Sequence, residues 1–127
     1  MEVSPDGRLL ACISRDSRSG KMTVLLLPVE GGEPVKALEL PELSNSGISW
    51  TVDGHAVTYE SSPNGVHNIW AMPLDGGKSY QLTKFKSNPV ATGQSSIIFY
   101  ALSRDGKRVA LTRSNLNTSF VLITNFK

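Results

Sequence analysis

Ser4-Pro5-Asp6-Gly7-Arg8-Leu9-Leu10-Ala11 returns as Thr51-Val52-Asp53-Gly54-His55-Ala56-Val57-Thr58 and again as Ser103-Arg104-Asp105-Gly106-Lys107-Arg108-Val109-Ala110. The Asp-Gly pairs stand 47 and 52 residues apart. A second marker, Leu27-Pro28-Val29-Glu30-Gly31-Gly32, returns 45 residues on as Met72-Pro73-Leu74-Asp75-Gly76-Gly77. Repetition at this spacing marks an architecture in which each copy is one supersecondary unit that buries its apolar surface against its neighbours. The 127 residues divide into three copies: 1–43, incomplete at its start; 44–90; and 91–127, lacking its outer strand.

Within each copy the local signals are those of strands. In the Asp-Gly turn, proline presets φ at the first turn position, aspartate bonds its own backbone, and glycine takes positive φ without steric cost. The turn joins a strand ending in Ile48-Ser49-Trp50, or in Phe99-Tyr100-Ala101-Leu102, to Leu9–Ser14, Ala56–Glu60 or Val109–Arg113. A third strand follows as Thr23–Val29, Asn68–Leu74 or Phe120–Thr124, and a short fourth as Val35–Leu38 or Tyr80–Thr83. Val24-Leu25-Leu26-Leu27, Ile69-Trp70-Ala71-Met72 and Val121-Leu122-Ile123 are apolar at successive positions, which predicts sheets covered on both faces. Antiparallel four-stranded sheets of ~40–50 residues stacked face to face are the blades of a β-propeller. The fold class expected is all-β, a partial propeller of about three four-stranded antiparallel blades. Three blades fall short of the ~4–8 that close a ring, so the expectation is an open arc or a fragment of a larger ring, completed by missing blades or a second copy.

Composition bounds the function. Apolar residues make up 39% and charged residues 19%, and thirteen Lys and Arg against eleven Asp and Glu leave a net charge of +2. That is the balance of a globular domain, with too weak a positive field to hold a nucleic-acid backbone. The longest apolar runs, Val24–Leu27 and Ile97–Leu102, are far short of the ~20 residues a membrane helix needs. A single cysteine, Cys12, excludes an internal disulfide and a cysteine-based zinc site; it lies in the apolar run Leu9–Ile13 and reads as a buried, inert thiol.

The ordered markers Ser4 to Ala11, Asn68 to Gly77 and Gln81 to Thr83 resemble the repeat of TolB-like β-propellers, a WD-type blade family. Thr51-Val52 departs from the usual Ser-Pro. The stretch Phe99 to Lys127 is similar to the C-terminal end of large bacterial signalling proteins, in which a serine/threonine kinase or winged-helix domain precedes such a propeller. The resemblance implies a non-catalytic binding or sensing module with protein or small-ligand partners at its loops and channel. It also implies two alternatives, the propeller accessory of a prolyl-oligopeptidase-type serine peptidase and a periplasmic TolB-type envelope protein. Localisation, periplasmic or cytoplasmic, would follow from upstream sequence.

No motif argues for chemistry within the chain. Gly76-Gly77-Lys78-Ser79 lacks the first glycine of a phosphate loop, where Met72 stands, and reads as a hairpin. His55 and His67 sit in or beside turns without further metal ligands, and Asp16-Ser17-Arg18-Ser19-Gly20 puts Arg18 at a calcium-ligand position. The expectation is no metal, no cofactor and solvated histidines. Gly47-Ile48-Ser49-Trp50-Thr51 and Gly93-Gln94-Ser95-Ser96-Ile97 both lack the last glycine of a nucleophile elbow, so no catalytic residue is assigned and the chain is expected not to be an enzyme. Trp50 and Trp70 read as core. Asn117-Thr118-Ser119 fits a glycosylation sequon. The only binding candidates are Arg15, Asp16, Arg18, Arg113 and Asn115, on two loops that join equivalent strands and so share one rim.

Overall fold

The structure, a computed structural model, describes residues 1–41, 47–86, 96–114 and 119–124. The boundaries expected near residues 44 and 90, and the residues Asn115, Asn117 and Ser95, lie outside them. Among the described residues there are eleven strands in three antiparallel sheets and no helix. The first sheet is β1 (Glu2–Val3), β2 (Leu9–Arg15), β3 (Met22–Pro28) and β4 (Lys36–Leu40). The second is β5 (Ile48–Trp50), β6 (Ala56–Ser61), β7 (Asn68–Pro73) and β8 (Tyr80–Gln81). The third is β9 (Ser96–Leu102), β10 (Arg108–Ser114) and β11 (Ser119–Thr124). Each runs as a meander in chain order, the topology of a propeller blade.

The three Asp-Gly turns are built alike. Ser4, Thr51 and Ser103 each accept at the main-chain oxygen from the glycine three residues on, at 2.8, 2.9 and 2.9 Å. Their hydroxyls donate to the aspartate two residues on, Ser4 to Asp6 at 2.5 Å, Thr51 to Asp53 at 2.7 Å, and Ser103 to Asp105. The same hydroxyls accept from the amides of Leu9, Ala56 and Arg108. Thr51 therefore does the work of serine, and Val52 replaces the usual proline without altering the turn. Gly54 and Gly106 sit at φ +71° and +67°, the left-handed region that favours glycine.

Alternation along the strands assigns the faces. Ala11, Val24 and Leu26 of the first sheet pack with Trp50, Val57, Tyr59 and Met72 of the second. Ala56, Ile69 and Ala71, on the opposite face of the second sheet, pack with Ile97 and Leu111 of the third. Among the described residues the second sheet is covered on both sides: β6 is buried throughout, and β7 nearly so. The outward faces of the flanking sheets differ from the expectation of double coverage. Leu25 and Leu27 are half-buried, and Leu122 is 64% exposed. Cys12 lies on that outward face of the first sheet, half-buried rather than enclosed.

Smaller differences have local causes. Glu2–Val3 forms a two-residue inner strand, with Val3 opposite Leu10. The fourth strand of the second sheet is two residues rather than four. The amides of Leu82 (2.8 Å) and Thr83 (3.4 Å) both donate to Ile69 O, and the Thr83 side chain accepts a bond from the same residue. Asn68 organises this departure: its Oδ1 accepts from Thr83 Oγ1 (2.9 Å) and Phe85 N (2.8 Å), and its Nδ2 donates to Phe85 O (3.2 Å). Thr83 Oγ1 in turn accepts from Ile69 N at 2.9 Å. Asn68 and Thr83 are buried and belong to the two separate markers Asn68–Gly77 and Gln81–Thr83. The two markers thus satisfy each other's buried polar groups.

Candidate functional site

The inner strands β1, β5 and β9 lead into the Asp-Gly turns, and where they end the three sheets converge. Ser49 Oγ donates to Glu2 Oε2 at 2.9 Å, and Trp50 N donates to the same oxygen at 3.3 Å. The Trp50 indole donates to Glu2 O at 3.0 Å, so this tryptophan is a core residue with its one polar atom satisfied. Thr58 Oγ1 donates to Ser49 O at 3.0 Å, and 3.0 Å away lies the Tyr100 hydroxyl. Because the single Thr58 proton is committed to Ser49 O, the tyrosine is the donor in that pair. A polar seam thus runs from the first sheet through the second to the third. Burial, with the Glu2 and Glu60 carboxylates nearby, raises the Tyr100 phenol well above its usual range and keeps it neutral. It donates its hydrogen bond to Thr58 Oγ1.

Beside the seam lies a cleft of about 370 Å³, lined in part by Glu2, Ser49, Trp50, Val52, Tyr100 and Arg104. A second cleft, about 330 Å³, enters between the second and third sheets along the same turns. Its walls are Val52, Leu82, Leu102 and Tyr80, with Asp53, Asp105 and Lys84 among its polar lining residues. The turn aspartates are ionised across the neutral range. Hydrogen bonds from Ser4 and Arg8 N lower Asp6, from His55 N and Thr51 lower Asp53, and from Ser103 and Lys107 N lower Asp105. This rim therefore presents fixed negative charge beside apolar surface, with Arg104 exposed at its third turn.

The residues expected from sequence are dispersed. Arg15, Asp16 and Arg18 are exposed on the β2–β3 turn. Asp16 is occupied in shaping it, accepting from Arg18 N (2.9 Å), Ser19 N (2.6 Å) and Ser19 Oγ (2.9 Å), which lowers its pKa. Arg113 is 7% exposed, its guanidinium carbon 4.1 Å from the centroid of the Phe85 ring, so it packs inside the protein rather than on a rim. His67 also departs from the expectation of a solvated loop residue: its side chain is 18% exposed and its Nδ1 lies 2.6 Å from the carboxylate of Glu60. Glu60, 1% exposed, also accepts from Ile97 N at 2.9 Å. That carboxylate ties β6 to the following loop and to the third sheet. His55 is exposed. Glu2, Tyr100 and Arg104 were not singled out by sequence. The available signal was their place on inner strands or on the turn itself, where side chains from different copies meet.

Among the described residues no three His, Cys, Asp or Glu side chains are grouped as metal ligands, and no helix is long and apolar enough to cross a membrane.

Comparison with known proteins follows the geometry. No family model matches the chain. It is 32% identical over 108 residues to an uncharacterized protein of Agrobacterium fabrum, covering 83% of this chain and 36% of that protein. It is 29% identical over 102 residues to Tricorn protease homolog 1 of Streptomyces coelicolor, covering 78% of this chain and 9% of the relative. Among solved structures, a TolB-type protein of Agrobacterium tumefaciens superposes with TM-score 0.64 at 25% identity, over 96% of this chain and 40% of that one. TolB from Acinetobacter baumannii gives TM-score 0.66 at 21% identity, over 97% and 29%. The meander topology and these superpositions define the class: the chain is an arc of a β-propeller. Its blades are TolB-like, and it spans well under half the length of the proteins it matches.

Proposed function

We propose that the chain is a non-catalytic binding module of a larger bacterial protein, engaging a protein or small ligand along the rim formed by its Asp-Gly turns and the inner strands beside them. The observation that carries this reading is the polar seam. Three sheets converge on a cleft where Glu2 and Ser49 are engaged with one another, the Tyr100 hydroxyl bonds Thr58, and Arg104 stands exposed. Such a surface offers shape, hydrogen bonds and fixed charge for recognition, and no activated nucleophile with its base. The signalling output belongs to an upstream kinase or winged-helix domain, as the resemblance of Phe99 to Lys127 suggests.

A second reading is favoured by the likeness to Tricorn protease homolog 1: a propeller serving a peptidase domain elsewhere in the same protein. Both readings give this chain a binding role. They separate on the neighbouring sequence, which carries a kinase or winged-helix domain upstream in the first case and a Gly-x-Ser-x-Gly hydrolase domain downstream in the second.

Selection of a displayed random-peptide library on the immobilised protein tests the rim. Selected peptides are expected to lose binding with Arg104→Glu or Glu2→Gln and to keep it with Arg18→Glu on the distant turn. Peptides indifferent to both rim substitutions would overturn the assignment.

A further inference from the structure

The two sheet interfaces are built from equivalent strands and differ at their outer side. Lys36 stands opposite Leu26 in the first sheet, and Tyr80 stands opposite Ala71 in the second. Leu26 and Ala71 are the same position of the repeat, 45 residues apart, so Lys36 and Tyr80 are counterparts. In the first interface Lys36 is half-buried and its ammonium donates to Leu74 O, strapping the first sheet to the second. In the second interface Tyr80, 48% exposed, makes no such strap among the described residues, and the gap beside it stays open as the cleft of about 330 Å³. That volume is at the small end of ligand pockets, ~300–1,000 Å³.

Both sheets furnish its apolar walls, Val52, Tyr80 and Leu82 from the second and Leu102 from the third. Each also furnishes an exposed carboxylate, Asp53 and Asp105. One oxygen of each is committed to its own turn: Asp53 accepts from Thr51 Oγ1 and His55 N, Asp105 from Ser103 Oγ and Lys107 N. Among the described residues the second oxygen of Asp53 has no partner, and that of Asp105 has only the exposed Arg108 at 3.7 Å. Both carboxylates are ionised in the neutral range, because those turn bonds favour the charged form. The one cation of the lining is Lys84, exposed and without an ion-pair partner among the described residues, so two negative charges face one positive. Tyr80 and Gln81 are successive residues of β8 and point to opposite faces, so a cleft that both of them line reaches the edge of that strand. Among the described strands β8 is paired on one side only, which leaves main-chain groups along that edge for an extended chain to bond.

We infer that the cleft between the second and third sheets docks an extended peptide segment of a partner protein in which an arginine or lysine adjoins a large apolar residue. The apolar side chain enters between the two sheets, its neighbour's cation pairs with the free oxygen of Asp53, and the backbone follows the edge of β8. Three features select this occupant. The excess of carboxylates favours a basic segment over an acidic one. The apolar walls give a bare cation little to bind, and the strand edge rewards a peptide over a small amphiphile. The inference rests on the reading of the turn rim as a recognition surface, and it names the occupant of one part of that rim.

Titration of the 127-residue chain with blocked peptides, followed by amide NMR, tests this. The probes are acetyl-Gly-Gly-Arg-Leu-Gly-Gly-amide and its counterparts with Glu in place of Arg or Gly in place of Leu. The Arg-Leu peptide is expected to shift the amides of Val52, Gln81 and Leu102 and to bind about tenfold more tightly than either counterpart. Lys84→Glu removes the cation of the lining and adds a third carboxylate, so it is expected to tighten that peptide several-fold. Tyr80→Lys sets an ammonium where Lys36 stands in the first interface and is expected to weaken it about tenfold. Both positions are exposed, and circular dichroism is expected to show the fold unchanged. Preference for the Glu-Leu peptide, or Arg-Leu binding that neither substitution alters, would overturn the proposal. Equal binding of isopentylguanidine, which carries the cation and the apolar group without the backbone, would assign the cleft to small cations and overturn it too. Shifts centred instead on the cleft beside Glu2 and Arg104 would overturn it and leave the rim a recognition surface, whereas no shift anywhere on the rim with any of the peptides would overturn both readings.

Discussion

Pro5 of the first turn sits against Gly54 of the second, its Cδ 3.6 Å from the place of the missing Cβ, and Val52 repeats the contact against Gly106. Proline and valine are interchangeable here because the neighbouring glycine needs only a compact apolar cap. The spacing leaves room for a methyl group at Gly54 and at Gly106, so the cost of adding one is conformational: both residues have φ near +70°. Gly106→Ala is expected to lower stability by about 1–2 kcal/mol, the left-handed penalty of an L-residue. Gly65→Ala, at φ +73° in open space, should cost the same. Urea unfolding of the two variants checks this, and a much larger loss at Gly106 would mean that the turn contact is tighter than 3.7 Å.

Hydrogen bonds lower the pKa of all three turn aspartates. Because folding makes these groups more acidic, they add stability that is fully present above the ordinary carboxylate pKa and lost as pH falls through the lowered values. Stability is therefore expected to decline below about pH 4. Asp53→Asn should flatten that limb, as read by denaturation midpoints between neutral pH and pH 2. Equal acid limbs in wild type and Asp53→Asn would contradict the assignment.

Thr51 substitutes for serine through its hydroxyl alone. Thr51→Ser should leave stability within about 0.5 kcal/mol of wild type, whereas Thr51→Val removes the donor to Asp53 and the acceptor for Ala56 N. The second change is expected to cost about 1–3 kcal/mol in thermal or urea unfolding.

Asn68→Ala leaves Thr83 Oγ1 without its acceptor and Phe85 N unpaired. With two polar groups stranded in or near the core, a loss on the order of 3 kcal/mol is expected. The segment around Phe85 should also lose hydrogen-exchange protection before the rest of the second sheet. Uniform loss across all three sheets would show that Asn68 acts on global packing instead.

Tyr100→Phe removes one hydrogen bond from the polar seam and frees Thr58 Oγ1 of a single partner. Thr58 keeps its bond to Ser49 O, so the expected loss is about 1 kcal/mol, with the fold unchanged. A loss several times larger would show that the seam holds the third sheet in place.

The parts legible in sequence are those fixed within a few residues of one another. The Asp-Gly turn is complete in the six residues from Ser4 to Leu9, so its strands, order and repeat could be read directly. The face pattern was half legible: Val24-Leu25-Leu26-Leu27 announces two apolar faces, but whether both are covered depends on a sheet that a flanking repeat lacks. The site was least legible. Glu2 and Ser49 are 47 residues apart, and Thr58 and Tyr100 are 42 apart. Glu60 finds His67 and the amide of Ile97 only once two sheets stack. Arg113 lay on a predicted rim because its loop does, yet its side chain turns inward onto Phe85, a choice that strand position alone does not reveal.

The most direct test of the account is whether the rim formed by the Asp-Gly turns recognises a partner. Peptides selected on the immobilised protein are expected to lose binding with Arg104→Glu or Glu2→Gln, which line the cleft, and to keep it with Arg18→Glu on the distant turn. Peptides that bind both rim variants as tightly as the original protein would contradict it.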